Sequence, residues 1–113
     1  MHTDTALQAL HALGQPSRLA AFRALVQAGV DGLSVGELRE QLDLPAATLS
    51  AHLNVLRRAG LVRDARAGRV IRVSAAYAQM NALLAYLTQN CCAGADCGTP
   101  AAPCSPSPEE SRP

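Results

Sequence analysis

The apolar residues of this chain change their spacing once, and that change limits the folds the chain can adopt. Up to residue 59 they recur every three or four positions, as on one face of an α-helix. Residues 61–65 and 69–74 alternate instead, as strands do, around an Arg66-Ala67-Gly68 segment that suits a hairpin. A helical pattern returns over residues 75–89, with apolar positions at Met80, Leu83, Leu84 and Leu87. The order predicts a mainly α fold with one small β-hairpin.

Breaks in the pattern divide the first 60 residues into four helices. Gly14 ends the first, and Pro16 suits the first turn of the second, where its missing N–H costs nothing. Ser34-Val35-Gly36-Glu37 is a capping box that begins the third helix, and Asp43-Leu44-Pro45 is a tight connection to the fourth, which stops at Gly60. The first helix is indicated by the helical spacing of Leu7, Leu10 and Leu13. The faces predicted to be buried in the next three contain Leu19, Phe22, Leu25, Val26, Val35, Leu38, Leu42, Leu49, Leu53 and Leu56. Two helices joined by so short a turn, followed by a hairpin and a last helix, predict a winged helix-turn-helix.

The length and the charge distribution favour a small domain that meets polyanions. A single domain is the natural expectation for 113 residues, and a domain of this size is marginally stable alone, which favours a dimer. The formal net charge of +1 excludes no class of partner. Arginines are nevertheless concentrated in one stretch, opposed only by Asp64, and a local basic patch attracts polyanions unless it is simply a solvated ridge. These arginines are Arg57, Arg58, Arg63, Arg66, Arg69 and Arg72.

The fourth helix, residues 45–59, is the candidate DNA-recognition helix, because short polar side chains near a helix N-terminus allow it to lie deep in a major groove. The side opposite its leucines carries Thr48, Ser50, Ala51, His52, Asn54 and Arg58. His52 could instead orient the helix through a buried hydrogen bond, and Ser50 could bond locally to the backbone. Arg66 and Arg69 flank the hairpin tip, where they can reach phosphates or a minor groove. Phosphate contacts of this kind predict an affinity that falls with salt.

Cysteine is confined to the end of the chain, at Cys91, Cys92, Cys97 and Cys104. The chain shows no signal-peptide pattern and no apolar run long enough to span a bilayer, so we expect a cytoplasmic protein without membrane contact. In a reducing cytosol, clustered cysteines bind metal or sense redox state more often than they form structural disulfides. We therefore divide the chain into a domain at 1–90 and a cysteine-containing tail at 91–113, Pro-rich and expected to be disordered from Gly98 onward.

Three segments resemble the ArsR/SmtB family of metal- and metalloid-responsive repressors. They are Gly14-Gln15-Pro16-Ser17-Arg18-Leu19, the run 49–62 that begins Leu49-Ser50-Ala51-His52-Leu53, and Gly68-Arg69 in the hairpin. The resemblance covers residues 5–90. It implies a homodimer built mainly from the first and last helices, a near-palindromic operator in double-stranded DNA, and repression of detoxification genes, such as those for arsenical resistance, that an inducer relieves.

The chain departs from the family at the inducer sites. Many arsenic sensors carry Cys-Val-Cys in the third helix, where this chain has Ser34-Val35-Gly36, and zinc- and nickel-type members use histidines on the last helix, where this chain has none. Some members carry a vicinal cysteine pair and a third cysteine after the last helix, and respond to arsenite and antimonite. By that resemblance, and because soft thiolates select soft centres, we expect trivalent arsenic or antimony to bind Cys91, Cys92 and Cys97.

Such binding requires the backbone to leave regular helix, because neighbouring side chains on a helix diverge by roughly 100°; Gly94 gives the freedom to turn back. The alternatives are zinc or cadmium held by four thiolates with Cys104 included, a thiol redox sensor, and incidental cysteines. No Ser/His/Asp arrangement, glycine-rich phosphate loop or convincing carboxylate pair points to an enzyme or to an organic cofactor.

Overall fold

The computed structural model describes residues 1–94, and within them the winged helix-turn-helix prediction is confirmed. The elements in chain order are α1 (Thr3–Leu13), α2 (Pro16–Ala28), β1 (Leu33–Ser34), α3 (Val35–Leu42), α4 (Ala46–Arg58), β2 (Val62–Ala67), β3 (Val70–Ala75) and α5 (Tyr77–Leu87), followed by a short turn, Cys91–Gly94. Over residues 1–94, none of the helices has the length and apolar character needed to cross a bilayer.

The sheet has three antiparallel strands in the order β1-β3-β2. Strands β2 and β3 form the predicted hairpin, paired from Val62 opposite Ala75 to Ala67 opposite Val70, and Gly68 adopts a positive φ of 65° in its turn. Strand β1 was not predicted, because two residues are too few to show an alternating pattern. It lies against β3 so closely that a side chain at Gly32 would overlap the carbonyl of Val73.

The core lies between α2, α3, α4 and the inner face of the sheet. Its largest fully buried side chains are Leu25, Leu38, Leu49, Leu53, Leu56, Leu61 and Val73. The predicted leucine face of α4 is therefore confirmed in full, as is the burial of Phe22. The other predicted core residues Val26, Val35 and Leu42 are half-buried and pack against this cluster, as do Leu13 and Met80.

The helix α1 was predicted correctly from the spacing of its leucines, but Leu7 and Leu10 do not lie on its buried face. Helix α1 presents Ala6, Ala9 and Ala12 to the core, whereas Leu7 is 58% exposed and Leu10 is 40% exposed. Alanine allows two helices to approach closely, and both sets recur at helical spacing, so periodicity alone could not separate them. The prediction that Leu19 is buried was wrong, because it is 43% exposed. Leu84 and Leu87, two of the apolar positions that predicted α5, are also exposed.

Two tyrosines attach α5 to the helices around it. The hydroxyl of Tyr86 shares a hydrogen bond of 2.6 Å with the hydroxyl of Thr3, at the start of α1. The hydroxyl of Tyr77 donates to the carbonyl of Val26, near the end of α2, at 2.9 Å. Helix α5 is thus fixed at one end to α1 and at the other to α2.

Candidate nucleic-acid interface and cysteine turn

The first helix of the helix-turn-helix begins with the predicted capping box. The hydroxyl of Ser34 accepts from the backbone N–H of Glu37 at 3.1 Å, and the backbone N–H of Ser34 donates to the Glu37 carboxylate at 2.9 Å. This backbone N–H is the main reason that the pKa of Glu37 is lowered, and the Ser34 hydroxyl and Arg72 add to the effect. Asp43 ends α3 in the left-handed conformation, with φ of 53°, which allows the chain to turn sharply into α4.

The N-terminus of α4 is open in a way that suits a phosphate. Pro45 occupies the cap position and supplies no side-chain hydrogen bond, and the first turn contains no acidic residue. Ala46, Ala47 and Thr48 are all exposed. The backbone N–H groups of the first turn therefore retain the partial positive charge that attracts anions at helix N-termini. Side-chain patterns alone missed this feature, although the absence of a polar cap and of an acidic residue was its sequence signal.

The predicted recognition side chains lie mostly on the outer surface of α4. Exposed among them are Thr48, Ser50, Ala51, Asn54 and Arg58. His52 is half-buried, and its imidazole makes no hydrogen bond to another residue of the range 1–94. The predicted set is thus brought onto one helix with the chemistry expected of it, except that His52 lies partly beneath the surface.

Arg57, which was not predicted as a site residue, joins α4 to the hairpin. Its Nη1 donates to Oδ1 of Asn54 at 2.9 Å, and its Nε donates to Oδ2 of Asp64 on β2 at 2.9 Å. The side chains of Arg57 and Asp64 are 31% and 40% exposed, so solvent screens the ion pair and its value lies in the orientation it imposes. Asn54, a predicted DNA contact, is therefore held by a neighbour on its own helix.

Arg72 fixes the other strand of the hairpin. Its Nε donates to the carbonyl of Asp31 and its Nη2 to the carbonyl of Gly32, both at 2.9 Å, and Nη2 lies 3.6 Å from Glu37. Two members of the arginine patch thus hold the hairpin in place. The others are exposed and make no side-chain hydrogen bond or ion pair within the part of the chain that is described: Arg58, Arg63, Arg66 and Arg69.

The cysteine turn begins shortly after α5. The helix ends at Leu87, two residues earlier than predicted, and the backbone N–H of Cys91 donates to the carbonyl of Thr88 at 3.0 Å. Cys92 has φ of 57° and ψ of 33°, and Asn90 and Ala93 also have positive φ. Cys91 and Cys92 are exposed, and they lie outside regular α-helix, as a vicinal thiol site requires.

The remaining cysteines, Cys97 and Cys104, and the tail from Gly98 onward lie outside the described residues. Within the described range 1–94, no three His, Cys, Asp or Glu side chains form a group that could hold a metal ion. The described cysteine pair can supply two sulfur ligands, so a third ligand for a pyramidal centre has to come from elsewhere.

A helix-turn-helix with an exposed polar helix and an arginine-bearing hairpin defines a winged-helix DNA-binding protein. A protein-family model described as a helix-turn-helix domain matches residues 13–65. An uncharacterized HTH-type transcriptional regulator of Methanocaldococcus jannaschii is 32% identical over 65 residues, which are 58% of this chain and 71% of the relative. The chain belongs to the HTH-type transcriptional regulators, and its winged-helix fold is similar to that of ArsR-like members of this class.

Two solved structures support the assignment. An ArsR-like transcriptional regulator from Rhodococcus superposes with a TM-score of 0.68 at 26% identity, over 80% of this chain and 82% of its own. HlyU from Vibrio cholerae superposes with a TM-score of 0.63 at 30% identity, over 81% of this chain and 99% of its own. Their agreement extends over most of the described residues, so the fold is the one expected from the sequence and the likeness to ArsR-like regulators agrees with it.

Proposed function

We propose that this regulator is a homodimeric repressor of a near-palindromic operator, released by trivalent arsenic or antimony bound to Cys91, Cys92 and Cys97. The observation that carries the proposal is the pair of adjacent, exposed cysteines in a non-helical turn directly after α5. A vicinal pair in this conformation supports binding of a thiophilic centre in a way that the same pair inside a regular helix would not.

The DNA side of the proposal rests on two surfaces. The open N-terminus of α4 and the exposed polar residues that follow it suit the major groove. Arg66 and Arg69, at the hairpin tip, are exposed and available for phosphates or a minor groove. The proposed contacts on α4 are the predicted ones: Thr48, Ser50, Ala51, His52, Asn54 and Arg58.

The homodimer is supported by the leucines that the isolated chain leaves exposed. Leu7 and Leu10 lie on α1, and Leu84 and Leu87 lie on α5. The two helices contact each other and are joined by the bond between Thr3 and Tyr86. Exposed apolar side chains on adjoining helices are typical of a protein interface. A second copy of the chain would bury them around a two-fold axis, and that symmetry would match a near-palindromic operator.

Metalloid chemistry suits the donors that the turn presents. Thiolate is a soft ligand and selects soft centres. In binding arsenous acid, three As–S bonds replace three As–O bonds, and each thiol proton leaves with a hydroxyl as water. Because the turn directly follows the α5 segment of the proposed dimer interface, binding there would alter the spacing of the two recognition helices. Release then requires that the metalloid bind the DNA-free arrangement more tightly than the DNA-bound one.

The test is operator binding measured by fluorescence anisotropy. A duplex recovered by selection is titrated with the full chain, and arsenite, antimonite, zinc, cadmium and peroxide are then added in parallel. We expect release by arsenite or antimonite at low stoichiometry. Cys91→Ser and Cys92→Ser should keep operator affinity and lose release, whereas the matched variant Cys104→Ser should keep both. A Cys91→Ser/Cys92→Ser protein that still responds to arsenite would overturn the proposal.

Two other inducers are separated by the same titration. Zinc or cadmium held by four thiolates requires Cys104, so Cys104→Ser would abolish release. A thiol redox switch would respond to peroxide without any metalloid. A solved structure of HlyU is described as the reduced protein, which makes the redox response the better-supported of these two. Either result would support the proposed repressor but would change the identity of its inducer.

A further inference from the structure

We propose that Arg57 is a positioning residue that determines which base edges Asn54 can read in the operator. Arg57 Nη1 lies 2.9 Å from Oδ1 of Asn54, within the surface of α4 proposed to enter the major groove. The inference rests on the proposed DNA-binding face, and it adds to that face a rule for base selection at one position.

The chemistry of the two side chains fixes the direction of the Asn54 amide. A guanidinium carries only N–H donors, and of the two amide heteroatoms only the oxygen accepts. The Asn54 oxygen must therefore face Arg57, and the amide NH₂ is the group left for a ligand. Asn54 is exposed on α4, so this NH₂ is presented outward as a hydrogen-bond donor.

The second contact of Arg57 keeps the first in place. Its Nε donates to Oδ2 of Asp64 at 2.9 Å, and Asp64 lies on β2 opposite the buried Val73 of β3. A planar guanidinium held at two points loses little additional freedom when it bonds to a third group. The orientation of the Asn54 amide is consequently set by the hairpin as well as by its own helix.

An asparagine in this state is impeded in making the bidentate contact that usually selects adenine. That contact needs the amide oxygen to accept from adenine N6 while the amide NH₂ donates to N7. The amide oxygen has two lone pairs, and Arg57 occupies one of them. A guanidinium beside this oxygen competes with an adenine N6 donor for it, so we expect the amide NH₂ to be the main base-reading group of Asn54. Asn54 should therefore bind any base that presents a hydrogen-bond acceptor in the major groove, which includes guanine and thymine. It should discriminate against cytosine, which presents an N4 donor there.

The test is selection of operator sequences from a randomised duplex library with the full-length chain and three variants. Asn54→Ala identifies the position that Asn54 reads, because the base preference there is lost. Arg57→Met, which removes the donors and retains much of the bulk, should raise the preference for adenine over guanine at that position by about fivefold or more, the lower end of what a bidentate contact provides. A lost positive charge alone would weaken all sequences equally.

Asp64→Asn is the matched control, because it removes the charge but keeps a side-chain oxygen that can accept from Nε of Arg57, so the bond between Arg57 and Asn54 should persist. It should retain the wild-type base preference. The inference is overturned if the wild type already prefers adenine fivefold at that position, if Asn54→Ala changes no position, or if Asp64→Asn reproduces the effect of Arg57→Met. Should Arg57→Met fail to unfold cooperatively, Arg57→Leu, which also carries no donor, takes its place. A wild type that enriches no sequence would instead refute the proposed DNA-binding face.

Discussion

Helices α1 and α4 carry similar leucine patterns, yet they use them in opposite ways. Helix α4 buries Leu49, Leu53 and Leu56 completely in the core of the chain. Helix α1 turns its alanines to the core and leaves Leu7 and Leu10 exposed. The difference shows that a row of leucines at helical spacing predicts a face that is buried. The other residues of the helix determine whether that face is buried in the core of the same chain or against another molecule.

The largest expected effect is on the free energy of unfolding when a buried leucine of α4 is truncated. Leu53→Ala should lower the free energy of unfolding by about 2–5 kcal/mol, because it removes buried methyl groups and leaves a cavity. The matched change Leu7→Ala on α1 should alter the unfolding of the monomer by less than about 0.5 kcal/mol. Urea unfolding of both variants at low protein concentration measures the two values. Similar losses in the two variants would show that the contrast between the helices is false.

The alanine face of α1 is tested by adding volume rather than removing it. Ala9→Leu should destabilise the chain by about 1–3 kcal/mol, since Ala9 is fully buried and a larger side chain forces the helix away from its neighbours. Gln8→Leu, on the exposed side of the same helix, adds the same side chain at no such cost. Thermal unfolding separates them, and an Ala9→Leu protein as stable as Gln8→Leu would mean that α1 is not closely packed.

The role of the exposed leucines in dimer formation can be tested by measuring the dissociation constant of the dimer. If a second copy covers them, Leu10→Ala should weaken the dimer by about 1.4 kcal/mol, or roughly tenfold in the dissociation constant, because less apolar surface is buried. Analytical ultracentrifugation across a concentration series measures this shift, and Gln8→Ala is the neighbouring control. An unchanged dissociation constant would assign these leucines to another partner.

The smallest expected effect on stability concerns the N-termini of the helices. Helix α3 begins with a capping box, whereas the N-cap residue of α1, His2, makes no side-chain cap. The pKa of Glu37 is lowered mainly by the backbone N–H of Ser34. Its contribution to stability is therefore present above the unfolded-state pKa and is lost as the pH falls through the lowered, folded-state value. Unfolding followed between neutral and acid pH should show this loss in the wild type and a reduced loss in Glu37→Gln. Identical pH profiles would exclude the effect.

Local patterns predicted the elements whose determinants are contiguous in sequence. The capping box from Ser34 to Glu37, the leucine face of α4 and the hairpin around Gly68 each have a signature within a few residues. Strand β1 was missed because its two residues are held by pairing with distant Val73 and Arg72 rather than by their own pattern. The leucines of α1 predicted the helix but not their own exposure, because helical spacing does not specify which molecule covers them.

The candidate DNA-binding site likewise combines residues that local sequence patterns predicted with residues whose roles depend on distant contacts. The exposed residues of α4 and the hairpin tip follow from periodicity, so they were predicted. The role of Arg57 depends on Asp64, which lies on a strand, and no spacing rule connects the two before the hairpin is folded against α4. Arginines counted as one basic patch consequently serve two purposes, since Arg57 and Arg72 hold the hairpin while Arg66 and Arg69 remain exposed.

The bond between Tyr86 and Thr3 gives the protein a built-in optical probe. The chain contains no tryptophan and only two tyrosines, so emission excited at tyrosine wavelengths comes from Tyr77 and Tyr86. Tyr86 lies close to the cysteine turn along the chain, and its phenol is hydrogen-bonded across to α1, while Tyr77 is anchored on α2 at the far end of α5. Unlabelled protein can therefore report a rearrangement at the end of α5 through the fluorescence of Tyr86, with a Tyr86→Phe variant supplying the signal of Tyr77 as reference.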